Sequence, residues 1–203
     1  MGETFKADRL RFMNSVNLKN IRNITISGRI GSGATTLATK LAENLQWDFI
    51  DGGKILRKVQ NDLGAAVYET SKRPDHFDLE YEEMVKKLLK ENTHQIIQSH
   101  LAGFDAQGIE GVFKVFVTCE DKEGNDKTDI RIDRLVNRDE IPVEQAKLEL
   151  RERDRQNLEK WRRLYAEDDP NWVYWDTKYY DLVVNTFDHN KEEALDVVLK
   201  KLE

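Results

Sequence analysis

An α/β fold with a mainly parallel sheet is predicted by two observations. Apolar β-branched runs alternate with segments of helical periodicity along most of the chain, and a glycine-rich turn joins the first strong strand to the first strong helix. Alternation of this kind requires right-handed crossovers that place helices on both faces of the sheet. Strands are expected at 24–28, 48–51, 95–99, 112–118 and 182–185, and helices at 34–45, 53–63, 76–91, 129–138, 143–167 and 191–202. The three prolines, Pro74, Pro142 and Pro170, all fall at expected helix boundaries or in loops, where a missing N–H costs least. Residues 1–22 precede this pattern and read either as a short helix packed on the domain or as a loose arm; the domain proper runs from 23 to 203.

The turn is the most informative segment. Gly28-Arg-Ile-Gly-Ser-Gly-Ala-Thr-Thr36 satisfies the phosphate-binding pattern G-x-x-x-x-G-K-[ST] at Gly28, Gly33 and Thr35, but carries Ala34 where the pattern asks for lysine. Glycines at 28, 31 and 33 let backbone N–H groups close on an anion with no Cβ in the way, and the helix that follows adds the positive end of its dipole. Gly28, Arg29, Gly31, Ser32, Gly33, Ala34, Thr35 and Thr36 are therefore the expected ATP-binding residues. Thr35 stands where such loops ligate Mg²⁺. A lysine would pair the outer phosphates; Arg29, inside the loop, is the expected substitute, whereas Lys40 lies about two helical turns further along.

Composition narrows the class. At 203 residues with 39% apolar content, the chain has room for one domain and a substrate-covering insert. The net charge of −6 repels nucleic acid in bulk, so any anion-binding surface must be local. The single cysteine, Cys119, excludes an internal disulfide and a thiolate metal cluster. No apolar run reaches the ~20 residues of a membrane span and no secretory signal is evident, so a cytoplasmic protein without membrane partners is expected.

In a parallel sheet, ligands gather beyond the carboxyl ends of the strands. After the second strand stands Asp51-Gly-Gly-Lys-Ile-Leu-Arg57, a glycine turn opening a helix with an arginine one turn in. Such a turn can receive a second phosphate, with Arg57 able to bind its oxygens in bidentate fashion; the other reading is an ordinary helix cap by Asp51, and beside the glycine loop a site for a phosphorylated acceptor is the stronger of the two. Further along, Arg131, Arg134 and Arg138 share one helix face by their 3 and 4 spacing, and Arg151, Arg153, Arg155, Arg162 and Arg163 follow on the next helix. Glu149, Glu152 and Glu159 lie among the last set, so part of it, Arg162 and Arg163 above all, reads as a solvated ion-paired helix.

The run Leu45-Gln-Trp-Asp-Phe-Ile-Asp-Gly-Gly-Lys-Ile-Leu-Arg57, at this distance from the loop, resembles the cytidylate kinase family, and its archaeal-type branch more closely. Leu101-Ala-Gly103, the arginine helices, Tyr165 with Asp168, and Tyr180-Asp-Leu-Val-Val-Asn-Thr186 extend the likeness over about residues 23–202. The resemblance implies a three-layer P-loop kinase fold, with a five-stranded sheet and an arginine-rich helical lid at about 120–168. It implies ATP and Mg²⁺, transfer of the γ-phosphoryl group to a pyrimidine nucleoside monophosphate with CMP or dCMP first, and a monomer as the expected assembly. On it, Arg131, Arg134, Arg153 and Arg155 are the expected catalytic cations, and Asp51, Gly53, Arg57 and His100 the expected acceptor site.

Three departures stand against simple transfer of activity. They are Ala34 for lysine, Gln98-Ser-His100 for Glu-Gly-Arg, and Lys160-Trp161 for Arg-Tyr. His100 is a weaker, titratable phosphate ligand, and Lys160 lacks the guanidinium fork. Two other readings stay open: a nucleotide-binding module with weak or lost activity, and a small-molecule kinase of the same architecture with another acceptor.

Overall fold

The computed structural model describes residues 15–66 and 69–203. Five parallel strands, β1 (Asn23–Gly28), β2 (Asp48–Asp51), β3 (Gln95–Gln98), β4 (Val112–Thr118) and β5 (Leu182–Asn185), form one sheet in the order β2-β3-β1-β4-β5. Among the described residues, seven helices connect and cover them: α1 (Ala34–Leu45), α2 (Gly52–Asp62), α3 (Asp75–Glu91), α4 (Ala102–Asp105), α5 (Thr128–Asp139), α6 (Val143–Tyr165) and α7 (Lys191–Leu202). The expected α/β architecture is observed, with every strand parallel. The short α4, and the 3₁₀ turns at Thr70–Lys72 and Thr177–Tyr179, are too brief to show a period in sequence.

Alternation along the central strands assigns the two faces. Ile24 and Ile26 of β1 pack with Leu37, Leu41 and Leu45 of α1 and Val198 of α7, whereas Ile97 of β3 packs with Tyr81, Val85 and Leu89 of α3, Ala102 of α4 and Ala106 just after it. β1 is buried throughout, flanked by β3 and β4. The chain leaves β1 toward β2 on one side and leaves β3 toward β4 on the other, so the loops after β1 and β3 diverge and open a crevice at their carboxyl ends.

The first fourteen residues of the expected arm lie outside the described residues. Residues 15–22 follow neither expectation: they run as irregular chain against the end of α1, with Val16 N–H donating to Leu45 O at 3.0 Å and Trp47 Nε1–H to Val16 O at 2.8 Å.

Helices α5 and α6 pack on each other and on the glycine loop through Ile30, which is enclosed by Leu135, Ala146 and Leu150. Gly31 permits the approach: it takes φ 74°, and a Cβ there would stand 2.6 Å from the carbonyl oxygen of Arg131.

Candidate active site

A cavity of about 930 Å³ opens at the crevice, lined by the glycine loop, the start of α1, the residues after β3 and faces of α2, α3, α5, α6 and α7. The loop is shaped by what its carbonyls bind. Arg134 donates from one amino nitrogen to Gly31 O at 3.2 Å and Ser32 O at 3.0 Å, and from the other to Thr186 O at 3.0 Å; Thr186 Oγ1 donates to Ser32 O at 2.6 Å. Because the trans peptide is planar, holding the Ser32 carbonyl toward Arg134 and Thr186 points the next N–H, that of Gly33, in the opposite direction. Gly33 caps α1 in the left-handed region (φ 100°) with no side-chain bond, which leaves the first-turn N–H groups of α1 available to an anion.

Arg29, the expected substitute for the absent lysine, lines the cavity but is committed to carboxylates. One amino nitrogen lies 2.7 Å from Asp154 Oδ2 and the other 3.4 Å from Asp126 Oδ1, and the guanidinium stacks 4.9 Å over Trp175. Lys40 is paired with Glu192 at 2.6 Å. The expected catalytic set also divides. Arg131 is fully buried, donating from Nε to Ile30 O at 2.6 Å and pairing with Asp126 at 2.7 Å and Asp154 at 2.9 Å, outside the cavity lining. Arg134 lines the cavity but spends its donors on the loop. Arg155 is exposed and pairs with Glu152 and Glu159, each at 2.9 Å; the structure does not bring it to the cavity. Arg131, Arg134 and Arg138 do share a face, yet seven residues span about 10 Å of helix, so each meets a different part of the site.

Beside Arg29, Arg134 and Lys191, the cavity is lined by three further cations from separate helices: Arg57 of α2, Arg138 of α5 and Arg153 of α6. Arg153 is almost entirely buried, pairs with Glu149 at 2.8 Å, and leaves its Nε without a partner. Burial lowers its pKa, the Glu149 carboxylate opposes that shift, and Arg57 and Arg138 add to it. Like charges brought together on one cavity suit an anionic ligand. Arg138, bound to Asp139, was visible in the 3 and 4 spacing but was not among the expected site residues.

Of the residues expected to bind an acceptor, Asp51 accepts from Lys54 N at 2.8 Å as the N-cap of α2 and is not among the lining residues, while Gly53 and Arg57 line the cavity. His100 Nδ1–H donates to Gly28 O at 2.8 Å, which fixes its tautomer and ties β3 to the glycine loop. The ring is enclosed, with Trp161 5.7 Å away, and its pKa is pushed down to about 4, first by burial and then by Arg153. It is therefore neutral at pH 7, a hydrogen-bonding group and not a cation. Its depressed pKa ties stability to pH with a definite sign. The native state disfavours protonation, so the stabilisation is fully present above the ordinary value of 6.5 and is lost as pH falls from there through about 4. The loss is about 3 kcal/mol for that window. Denaturant midpoints from pH 7 to 4 should fall more steeply for the wild type than for His100→Gln; parallel curves would refute this assignment.

Thr35 and Gln98 bear on the metal. Thr35 Oγ1 lies 3.1 Å from Gln98 Oε1, beneath the first turn of α1. The hydroxyl donates to the amide oxygen, and both are neutral oxygen ligands of the hard kind that Mg²⁺ takes. The pair fits the ion, with phosphate oxygens and water left to supply its other positions. Among the described residues there is no cluster of His, Cys, Asp or Glu suited to a metal held by protein alone.

The strand order, the uncapped glycine loop at the end of the central strand and the cationic cavity define a P-loop kinase. Within that class the chain belongs to the cytidylate kinase-like family, whose model matches residues 23–188. Curated relatives named cytidylate kinase include one from Haloarcula marismortui, 32% identical and aligned over 89% of this chain and 88% of the relative. Another, from Methanopyrus kandleri, is 29% identical over 86% of this chain and 90% of its own. Among solved structures, the fold is shared with a shikimate kinase from Bacteroides thetaiotaomicron (TM-score 0.56, 16% identity, 89% of this chain and 98% of that one). A gluconokinase from Sinorhizobium meliloti 1021 shares it too (TM-score 0.54, 15% identity, 91% and 93%). No described helix is long and apolar enough to cross a membrane.

Proposed function

We propose that this protein transfers the γ-phosphoryl group of ATP to a pyrimidine nucleoside monophosphate, with CMP or dCMP the preferred acceptor. The observation that carries the reading is the convergence of Arg57, Arg138 and Arg153 on the cavity that the glycine loop also lines. One anion-binding element would hold the donor's phosphates, and three guanidinium groups from separate helices would hold the acceptor's. Because the acceptor phosphate is already ionised, no general base is needed, and catalysis reduces to positioning and to stabilising charge on the transferring group.

In this reading the Gly33 amide and the first turn of α1 cradle the donor, and Thr35 with Gln98 hold Mg²⁺, which when bound neutralises phosphate charge. Arg153, whose Nε is unpartnered, takes over the electrostatic work of the absent lysine. The names of the curated relatives support the acceptor class. The same features would confine the protein's partners to nucleotides.

The test is ADP release over a panel of nucleoside monophosphates, with and without Mg²⁺. Turnover greatest with CMP or dCMP and dependent on the metal is expected; turnover with none would reject the reading. Ala34 favours a second one, a nucleotide-binding module of little activity, and calorimetric binding of nucleotides without ADP release would select it. If Arg153 already serves in place of the lysine, Ala34→Lys changes kcat by less than about fivefold. A rise of a hundredfold would show the position to be a handicap that nothing compensates.

A further inference from the structure

The wall of the cavity formed by α3 carries two carboxylates one turn apart, Asp78 and Glu82, with Tyr81 beside them. They differ in what they have left to offer. Asp78 is saturated: Oδ1 accepts from Arg73 at 2.6 Å, and Oδ2 accepts from Arg73 Nε at 3.1 Å and from Lys160 Nζ at 2.5 Å. Arg73 is further fixed by Gln60 Oε1 at 3.0 Å, and Lys160 by the Arg73 carbonyl at 2.7 Å. This is a locked ion cluster that supports the wall.

Glu82 is only 4% exposed and, among the described residues, makes no ion pair. The groups around it are the Tyr165 hydroxyl and Lys160 of α6, Asp78 and Lys86 of α3, and Asp105 of α4. Burial pushes the Glu82 carboxyl upward, with Asp78 adding to the shift, and the buried Asp105 carboxyl is raised as well, by burial and by Glu82 itself. Lys86 and Lys160 oppose the shift without forming an ion pair, and a buried carboxyl keeps its proton more readily than an exposed one; protonated, it presents a donor and an acceptor side by side. A second feature points to a ligand here. Trp161, on the same cavity, is 3% exposed, and its Nε1–H finds no partner.

We infer that Glu82 is a specificity-determining residue that reads the base of the acceptor nucleotide, its carboxyl pairing with an exocyclic amino group and the adjacent ring nitrogen. The inference rests on the nucleoside monophosphate acceptor proposed above and adds the contact that selects the base. Cytosine offers that edge as the N4 amino donor beside the N3 acceptor. Leu56 and Trp161 line the same cavity and supply apolar surface for the ring faces, while Arg57, Arg138 and Arg153 occupy its phosphate end.

The experiment removes the interaction from both sides. CMP is compared with the monophosphate of the 2-pyrimidinone nucleoside, which lacks only the 4-amino group, on wild type, Glu82→Ala and Glu82→Gln. Calorimetric Kd and KM are read together. On the wild type, loss of the amino group should weaken binding about tenfold to a hundredfold, the effect of leaving a buried polar group unpaired. On Glu82→Ala the two nucleotides should bind within about twofold of each other, and Glu82→Gln, which retains an adjacent donor and acceptor, should restore most of the discrimination.

A merely structural Glu82 would weaken both nucleotides equally, and a preserved amino-group effect in Glu82→Ala overturns the inference. Removing one of three clustered buried carboxyls relieves repulsion, so Glu82→Ala should fold, and its thermal midpoint checks this. If the wild type binds CMP but transfers no phosphate, the kinase reading fails while the binding comparison still decides the role of Glu82. If it does not bind CMP, both fail.

Discussion

Arg153→Met lowers kcat/KM for the CMP reaction about a hundred- to a thousandfold, whereas Arg155→Met stays within about twofold of the wild type. The first figure is the usual effect of removing one positioned charge from a water-excluded site where charge develops. Two residues apart on α6, the side chains stand on nearly opposite sides of the helix. Arg153 is buried and opens on the cavity, and Arg155 is exposed between Glu152 and Glu159. Arg153→Lys should recover only part of the rate, since an ammonium lacks the planar fork. Because Glu149 loses its partner in Arg153→Met, the double variant with Glu149→Gln separates the kinetic loss from the cost of a stranded carboxylate. Steady-state kinetics on the wild type and the four variants decide it, and equal losses for Arg153→Met and Arg155→Met would rule out the special place of Arg153.

Arg131→Met costs about 3–5 kcal/mol of folding stability, the usual penalty for removing one member of a buried ion cluster. Arg131 holds Asp126, Asp154 and the Ile30 carbonyl at once, and without it Arg29 is left facing both carboxylates. Chemical denaturation should show a lower midpoint with an unchanged slope. Loss of the Ile30 anchor should also loosen the glycine loop and raise KM for ATP. A variant of normal stability with a collapsed kcat would instead place Arg131 on the phosphates, against the geometry. The resemblance to known kinases made Arg131 a catalytic candidate; the structure buries it outside the cavity lining, against the Ile30 carbonyl.

The difference between Arg153 and Arg155 shows how far the sequence could be read. The buried positions Ala146, Glu149, Leu150, Arg153, Asn157, Lys160 and Trp161 follow helical spacing, with Arg153 in phase and Arg155 out of phase. That signal was present, but the inward face of α6 is so polar that it does not stand out as an apolar stripe. Glu82 was beyond reach for a different reason. Its character depends on Asp105, Tyr165 and Lys160, which come from α4 and α6 and meet α3 only after folding.

By itself the sequence determined the strands, the major helices and the phosphate-binding loop, because these rest on local periodicity, glycine conformations and short-range spacing. The family followed from the ordered set of such local features. Tertiary structure alone decided which cations face the cavity. Arginine looks the same in a sequence whether it bonds a loop carbonyl, as Arg134 does, anchors a buried ion cluster, as Arg131 does, or stands open to a ligand, as Arg153 does. Its role is set by the partners that the fold brings within reach, and those partners lie up to a hundred or so residues away along the chain.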